Sequence, residues 1–466
     1  MPLRRTSSPA STRGAGSCDG AVARVSPCRW RPCRWRTWQD GGCRSATPRV
    51  WPCWSAWYPL CSERRSLTRA EFPGRACAVR LGASRLSPRD ALELSLDAVL
   101  DAVLDAERVR RGAPGLAACV LRAGQPTVLL ASGEADLVSG RRVTCATTFA
   151  WYSLTKIVTA VTALRLAHAG RLDLDAPVVE RVPELQLSDP ARRRWQPVTA
   201  RHLLCHRAGF ADRQLHVARW FREPGAPWPD PSAFLAAALR RHGPRRAPPG
   251  AREAYSNLGY AVLGQLIASA AGCPFRAAVH ELVLDPLGMT GTGFEGAERL
   301  RGDHARGHLP RWSGMGLAAR LLGGGAFSEG RVGRHELVRW RDLVFSPHGG
   351  LLGPVGDLAR LLSLFTGGDV EPEQASLLQV CRGMCDDEAL AAGLRPGAAE
   401  QYGPGWCVLS PANGAPQLRH GGRGPGYTTE MLVSPREGLA VGLLGNGGFD
   451  ARATAEALLA AARPAT

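Results

Sequence analysis

The sequence predicts an α+β fold: an antiparallel sheet flanked by helices, with a large, mostly helical inserted region. Three observations carry this. Strand pairs around a turn stand near both ends of the main body, at 115–133 and 428–446. Helical periodicity flanks each pair on its outer side, and the same periodicity dominates the stretch from roughly 150 to 400 between them. A sheet assembled from the two chain ends, with the middle inserted, accommodates all three.

Residues 1–90 stand outside this pattern. They carry 17 arginines against 5 acidic residues, a net of +12, and leave +5 of the formal +17 to residues 91–466. The basic balance therefore says little about partners of the main body. Seven of the 14 cysteines and six of the 13 tryptophans lie here, with a short duplication, CRWRPCRWR, at 28–36. The segment lacks the Cys-x-x-Cys pairs and histidines that a zinc module requires. On composition it could form a disulfide framework or an Arg/Trp nucleic-acid patch. The lack of any helical or strand period favours a low-complexity segment, disordered or translated from upstream of a later start, with the folded domain spanning 91–464. The most apolar run, WPCWSAWYPLC at 51–61, is broken by Pro and Ser, so neither a signal peptide nor a membrane span is expected. The seven main-body cysteines are scattered and odd in number, as reduced thiols in a cytoplasm would be.

In chain order, ALELSLDAVLDAVLDAERVRRG from residue 91 spaces Leu and Val at three and four residues, with Asp early and Arg late as the helix dipole prefers. GLAACVLRAGQPTVLLASG holds two apolar runs around Ala-Gly-Gln-Pro, an antiparallel hairpin. Helices follow at 153–169, 256–271 and 356–366, each stopped by a glycine: Gly170, Gly272 and Gly367. REPGAPWPDPSA and RHGPRRAPPGA read as loops. The Gly-rich RLLGGGAFSEGRVGR (320–334) matches no phosphate-binding spacing and reads as a flexible surface connection. TTEMLVSPREGLAVGLLGN repeats the hairpin pattern around Pro435 and Gly438, and ATAEALLAAA closes the fold with a helix.

One cation is unlike the rest. Lys156 is the only lysine in 466 residues, against 57 arginines. A guanidinium stays charged in proteins, whereas burial can push a lysine pKa down by several units. A retained amine thus marks a position where the cation must be able to lose its proton, the alternative being a surface lysine. Ser153 stands three residues earlier, on the same helix face and within reach of the amine. A serine hydroxyl needs such a base to become a nucleophile. Near a helix start, the Ser153 N–H also has no intrahelical partner and can face an oxyanion.

FAWYSLTKIVTAVTALRLAHAGRLDLDAPV resembles the S-x-x-K segment of the serine β-lactamase and penicillin-binding protein superfamily. PPGAREAYSNLGYAVLGQLI is similar to its Y-x-N segment, with Tyr255 and Asn257, and LRHGGRGPGYTTEM to its third motif, with His420 and Gly422. HLLCHRAGF, VLDPLGMTGT and PHGGLLGPVGDLARLL look like intervening landmarks of the class C-like branch, which also holds esterases and D-amino-acid peptidases. The matches run in order over about 91–462.

The resemblance implies that Ser153 is acylated and that Lys156 or Tyr255 takes its proton, which of the two being open across the superfamily. Tyr255, ordinarily titrating near 10, would have to be depressed by the Lys156 charge to act as a base. Asn257 would donate to the substrate carbonyl or to Lys156, and the N–H groups of Ser153 and Arg423 would form the oxyanion hole. No cofactor and no metal are implied. The expected partner is a small acyl compound, with neither nucleic acid nor membrane engaged by the main domain and the oligomeric state open. His420 stands where antibiotic-hydrolysing members carry lysine, and an imidazole is only partly cationic at neutral pH. That favours an esterase, amidase or peptidase over an enzyme for carboxylate-bearing β-lactams, although Arg423 could restore charge nearby. A true β-lactamase or D-alanyl-D-alanine carboxypeptidase is the alternative. A slowly acylated sensor is another, against which Tyr255, a ready deacylation base, speaks. The remaining polar residues have structural explanations: Asn257 near an N-cap, the glycines around His420 in a turn, His168, His202 and His206 in packing or at the surface, Asp173 and Asp175 in a loop and cap.

Overall fold

The two ends of the described region build one sheet. Its strands are β1 (Gly115–Arg122), β2 (Val128–Asp136), β3 (Arg141–Arg142), β4 (Glu400–Tyr402), β5 (Cys407–Leu409), β6 (Gln417–Gly424), β7 (Tyr427–Ser434) and β8 (Leu439–Gly445). They lie in the order β4-β5-β6-β7-β8-β1-β2-β3 and pair antiparallel. The seam between the chain ends is β1 against β8, with Leu116 opposite Gly445 and Arg122 opposite Leu439. Both hairpins expected from the sequence are present. This computed structural model describes residues 95–464 apart from 189–194, 211, 213–219, 243–244, 295–301, 315–316, 318–326, 345, 368–373, 386–398 and 411–414. The expectations attached to residues 1–90 lie outside the described residues.

β1, β7 and β8 bury side chains on both faces, so both faces need a cover. On one face lie α1 (Leu96–Arg111) and α5 (Ala451–Ala462), which press Leu100, Leu104, Leu458 and Leu459 against Leu116, Val120, Val441 and Leu443. α1 starts at Ser95, whose Oγ accepts the Ala98 N–H at 3.3 Å, and stops at Gly112 in the left-handed conformation (φ 64°). The other face receives the inserted region, led by α2 (Thr155–His168), α3 (Asn257–Ala271) and α4 (Val355–Thr366). α2 is buried on nearly every side, as a helix without a polar stripe must be.

The inserted region is less purely helical than expected. Three small sheets interrupt it: Phe149–Ala150 with Leu351–Gly353 and Gly293–Phe294, Phe221–Arg222 with Asp342–Leu343, and His308–Pro310 with His335–Val338 and Ser328–Val332. The last corrects the reading of 320–334 as a flexible connection. In its described part, the chain turns at Gly333 (φ 52°) and pairs Val332 with His335. The stretch read as the loop REPGAPWPDPSA likewise gives way to a helix at Pro231–His242, where Asp230 Oδ1 accepts the Ala233 N–H at 2.7 Å and Pro231 occupies a first-turn position that needs no donor.

Candidate active site

The segment before α2 is a tight 3₁₀ turn, Tyr152–Leu154, rather than the opening of the long helix expected over 153–169. Its anchors are two main-chain carbonyls and one hydroxyl of neighbouring elements. The Trp151 N–H donates to Leu351 O at 2.9 Å and its indole N–H to Gly353 O at 3.1 Å. The Thr429 hydroxyl on β7 donates to Trp151 O at 3.1 Å. β6 comes close to the same turn because Gly422 has no side chain: a Cβ there would strike Thr429 Oγ1 and Trp151 O, and lie 3.3 Å from Ser153 N. β5 covers β6 only over Gln417–Arg419, so among the described residues the edge of β6 from His420 to Gly424 is left unpaired beside the turn.

Lys156, one helical turn beyond Ser153, is 0% exposed. Its Nζ lies 3.1 Å from Ser153 Oγ and donates to Asn257 Oδ1 and His348 O, each at 2.8 Å. Burial holds the amine well below its ordinary pKa, opposed by the charge of Asp212. The neutral form fits the geometry without strain: an amine has two hydrogens, the two carbonyl oxygens take both, and the remaining lone pair faces the serine hydroxyl. Tyr255 OH donates to Ser153 Oγ from 2.8 Å. For Tyr255 to act as a base the Lys156 charge would have to depress this phenol, and its burial works the other way. Burial pushes the Tyr255 pKa up, the bond to Ser153 only partly opposing it, so the phenol keeps its proton.

Tyr255 and Asn257 flank Ser256, the N-cap of α3, whose Oγ accepts the Gly259 N–H at 2.9 Å. Asn257, next to the cap as expected, is the first helical residue, and its amide oxygen accepts from Lys156 rather than the amide donating to it. Asp212, unmarked in the sequence reading, clamps this helix start. Its carboxylate accepts from Ser256 Oγ at 2.8 Å, Asn257 N at 2.5 Å and Leu258 N at 3.4 Å, where a helix N-terminus attracts negative charge. Burial nevertheless raises its pKa. His206 backs Tyr255, with ring centroids 4.5 Å apart, and its Nδ1 accepts the Ser256 N–H at 3.1 Å. The expectation of a packing histidine holds for it, and its packing fixes the phenol. The carbonyl of His348 reaches Lys156 because Thr159 Oγ1 ties Pro347 O at 2.7 Å and Gly264 leaves room for the Pro347 ring against α3.

His420, Gly422 and Gly424 alternate along β6 and face the site. His420 is 4% exposed, its ring 6.2 Å from that of Tyr255. Burial pushes its pKa down to about 3. It is therefore neutral at pH 7, a stronger departure than the partial charge expected. Its Nδ1 lies 3.0 Å from Gly421 O and, facing a carbonyl, carries the proton. The Arg423 guanidinium does not restore charge in the pocket: it donates to Phe449 O at 3.2 Å, among the residues packed beneath α1 and α5. Elsewhere, His168 is exposed, His202 closes a capping box with Thr199, Asp173 Oδ1 accepts the Asp175 N–H at 2.9 Å, and Asp175 pairs with Arg201. No cluster of metal-ligating side chains occurs among the described residues.

Comparison with known proteins gives the family. The family model described as Beta-lactamase matches residues 96–463. Esterase EstB of Burkholderia gladioli is 36% identical over 219 residues, 45% of this chain and 54% of the esterase, so the chain spans about half of that relative. Penicillin-binding protein 4 of Amycolatopsis lactamdurans is 27% identical over 350 residues, 74% of this chain and 83% of that protein. Among solved structures, the octameric penicillin-binding protein homologue from Pyrococcus abyssi superposes with a TM-score of 0.61 at 25% identity, covering 78% of this chain and 76% of that one. The α+β architecture and the hydrolase class expected from the sequence are borne out, and small acyl compounds rather than nucleic acid are what the family acts on. No single helix among the described residues is long and apolar enough to cross a membrane. The chain belongs to the beta-lactamase family of serine hydrolases.

Proposed function

We propose that the protein hydrolyses an ester or amide through an acyl-enzyme on Ser153, with neutral Lys156 as the acylation base. The observation that carries this is the placement of the amine: fully buried, Nζ lies 2.8 Å from the Asn257 and His348 oxygens and 3.1 Å from Ser153 Oγ, so that in the neutral form, with its two hydrogens on those oxygens, the free pair is left for the serine hydroxyl. The hydroxyl proton passes to Nζ as Oγ attacks the substrate carbonyl. The N–H groups of Ser153 and Arg423 hold the resulting oxyanion, each donor contributing about 3 kcal/mol at the transition state. Tyr255, kept protonated by burial, gives its proton to the leaving group and regains one from the Lys156 ammonium. Water then repeats these transfers in the place of serine and frees the acid.

The neutral, buried His420 supports substrates that offer no carboxylate at that position, as does the 36% identity with an esterase. Turnover of short-chain nitrophenyl esters is expected to exceed that of a chromogenic cephalosporin. A cytoplasmic setting belongs to the same proposal, supported by six free cysteines among the described residues. The test is incubation with a fluorophosphonate probe, followed by intact mass and peptide mapping. One adduct on Ser153, lost in Ser153→Ala, is expected; an adduct elsewhere, or one that survives the substitution, overturns the mechanism.

A further inference from the structure

We propose that Tyr152 is a positioning residue that locks together the two halves of the oxyanion hole. The proposal rests on the assignment of the Ser153 and Arg423 N–H groups made above. Tyr152 has a φ of 45°, a left-handed conformation that residues with a large side chain rarely adopt and that persists only where the surroundings enforce it. Its neighbours Trp151 (φ −78°) and Leu154 (φ −60°) are fully buried on ordinary backbone, so burial does not explain the strain.

What holds Tyr152 is β6. A Cβ on Gly424 would fall inside the Tyr152 ring, so the ring rests directly on the strand backbone at that residue. Its hydroxyl donates to Pro425 O at 3.3 Å and its ring tilts against Tyr427 at 6.1 Å. The contact has a specific place in the chain. Tyr152 is the residue before Ser153, and Gly424 the residue after Arg423, so the ring-on-glycine contact joins the immediate neighbours of the two oxyanion donors. Gly422 makes the companion contact, against Trp151 O and Ser153 N. With the β6 edge unpaired here among the described residues, no adjoining strand on that side sets the spacing between the donors. The aromatic ring sets it instead, and the left-handed backbone is what delivers the ring to the strand.

The test is a double-mutant cycle on the full chain, with kcat, KM, fluorophosphonate acylation rate and thermal midpoint measured for each variant. Gly424→Ala pushes the ring off the strand and is expected to lower kcat and the acylation rate by ~100-fold, about the worth of one oxyanion donor, with KM within about 3-fold. Tyr152→Gly, which accepts the backbone angle but removes the ring, is expected to lose ~10-fold or more in kcat, whereas Tyr152→Phe keeps the ring and stays within ~3-fold of wild type. Once the ring is gone, Gly424→Ala should cost almost nothing further. Equal losses from Gly424→Ala with and without the ring, or wild-type kcat in Tyr152→Gly, overturn the lock. Should Gly424→Ala fail to fold, the contrast between Tyr152→Gly and Tyr152→Phe decides alone. Turnover surviving in Ser153→Ala would instead overturn the nucleophile assignment, an outcome separable from failure of the lock.

Discussion

The turn that carries Ser153 and Lys156 and the strand that carries Gly422 and Gly424 meet at the same serine, yet they are constrained by different physics. On the helical side the decisive quantity is protonation. Burial strips Lys156 of solvent and leaves its charge costly, so the amine becomes a base without any change of shape. On the strand side the decisive quantity is volume, since a single Cβ at Gly422 or Gly424 would occupy space already held by the nucleophile turn. The difference teaches that conservative means opposite things a few ångströms apart. On one side charge chemistry cannot be exchanged at constant size, and on the other size cannot grow at constant charge.

The comparison is broken most sharply at Lys156. Lys156→Arg puts a permanent charge where the amine is neutral and offers no free pair to accept a proton, and Lys156→Met keeps the bulk without a base; each is expected to reduce kcat/KM by ~10³- to 10⁴-fold in steady-state ester hydrolysis. Near-wild-type activity in the arginine variant would remove the protonation argument. Next comes Gly422→Ala, neutral in charge, expected to lower kcat by ~10²-fold or more through displacement of the Ser153 N–H. A crystal structure of that variant with the turn unmoved would contradict the steric half. Tyr255→Phe is expected to cost about 10²-fold in kcat while leaving the acidic limb of the pH–rate profile in place. The sign follows from the base: the working form is the neutral amine, so activity falls as pH drops through the lowered Lys156 pKa and is retained above it. Loss of that limb in the phenylalanine variant would transfer the base role to the phenol.

The smallest effect is expected at His420. His420→Gln should change kcat/KM for a neutral ester by less than ~10-fold, because the imidazole brings no charge. It should also alter stability. The folded-state pKa of about 3 lies below the ordinary 6.5, so as pH falls through 6.5 the unfolded chain takes up a proton that the folded chain refuses. Wild type therefore loses stability between about pH 6.5 and 3, by up to about 1.4 kcal/mol per pH unit from this one group. Denaturation of the glutamine variant should show a shallower slope by that amount, and an unchanged slope would mean that His420 is protonated in the fold.

Much of the site was legible in the sequence because its members are side chains of unusual type or spacing. A lone amine three residues after a serine, a Tyr-x-Asn before a helical run and a glycine pair after a histidine all announce themselves, and the structure brings Ser153, Lys156, Tyr255, Asn257 and Gly422 together. What remained hidden works through features that residue type does not encode. His348 contributes a carbonyl, which any residue could supply. Asp212 acts from a non-periodic stretch, and its only trace is an acid shortly after the HLLCHRAGF landmark. Tyr152 reads as one more aromatic until its backbone angle is known. The condition on Tyr255, a depressed pKa if it is to act as a base, could be stated from sequence, but the depth of burial that raises its pKa was not visible there. In the fold, the terminal hairpins were readable from alternation and turn residues, whereas the short strand Ser328–Val332 was masked by Gly330 and the glycine-rich sequence beside it.

The account turns on Lys156 being an uncharged amine at neutral pH, and the sequence makes this directly measurable. With one lysine in the chain, protein grown on side-chain ¹⁵N-labelled lysine yields a single Nζ resonance to follow by NMR across pH. The predicted signal has the chemical shift of a neutral amine at pH 7.5 and titrates far below 10.5. An ammonium shift at that pH, with a midpoint near the ordinary lysine value, would contradict the mechanism.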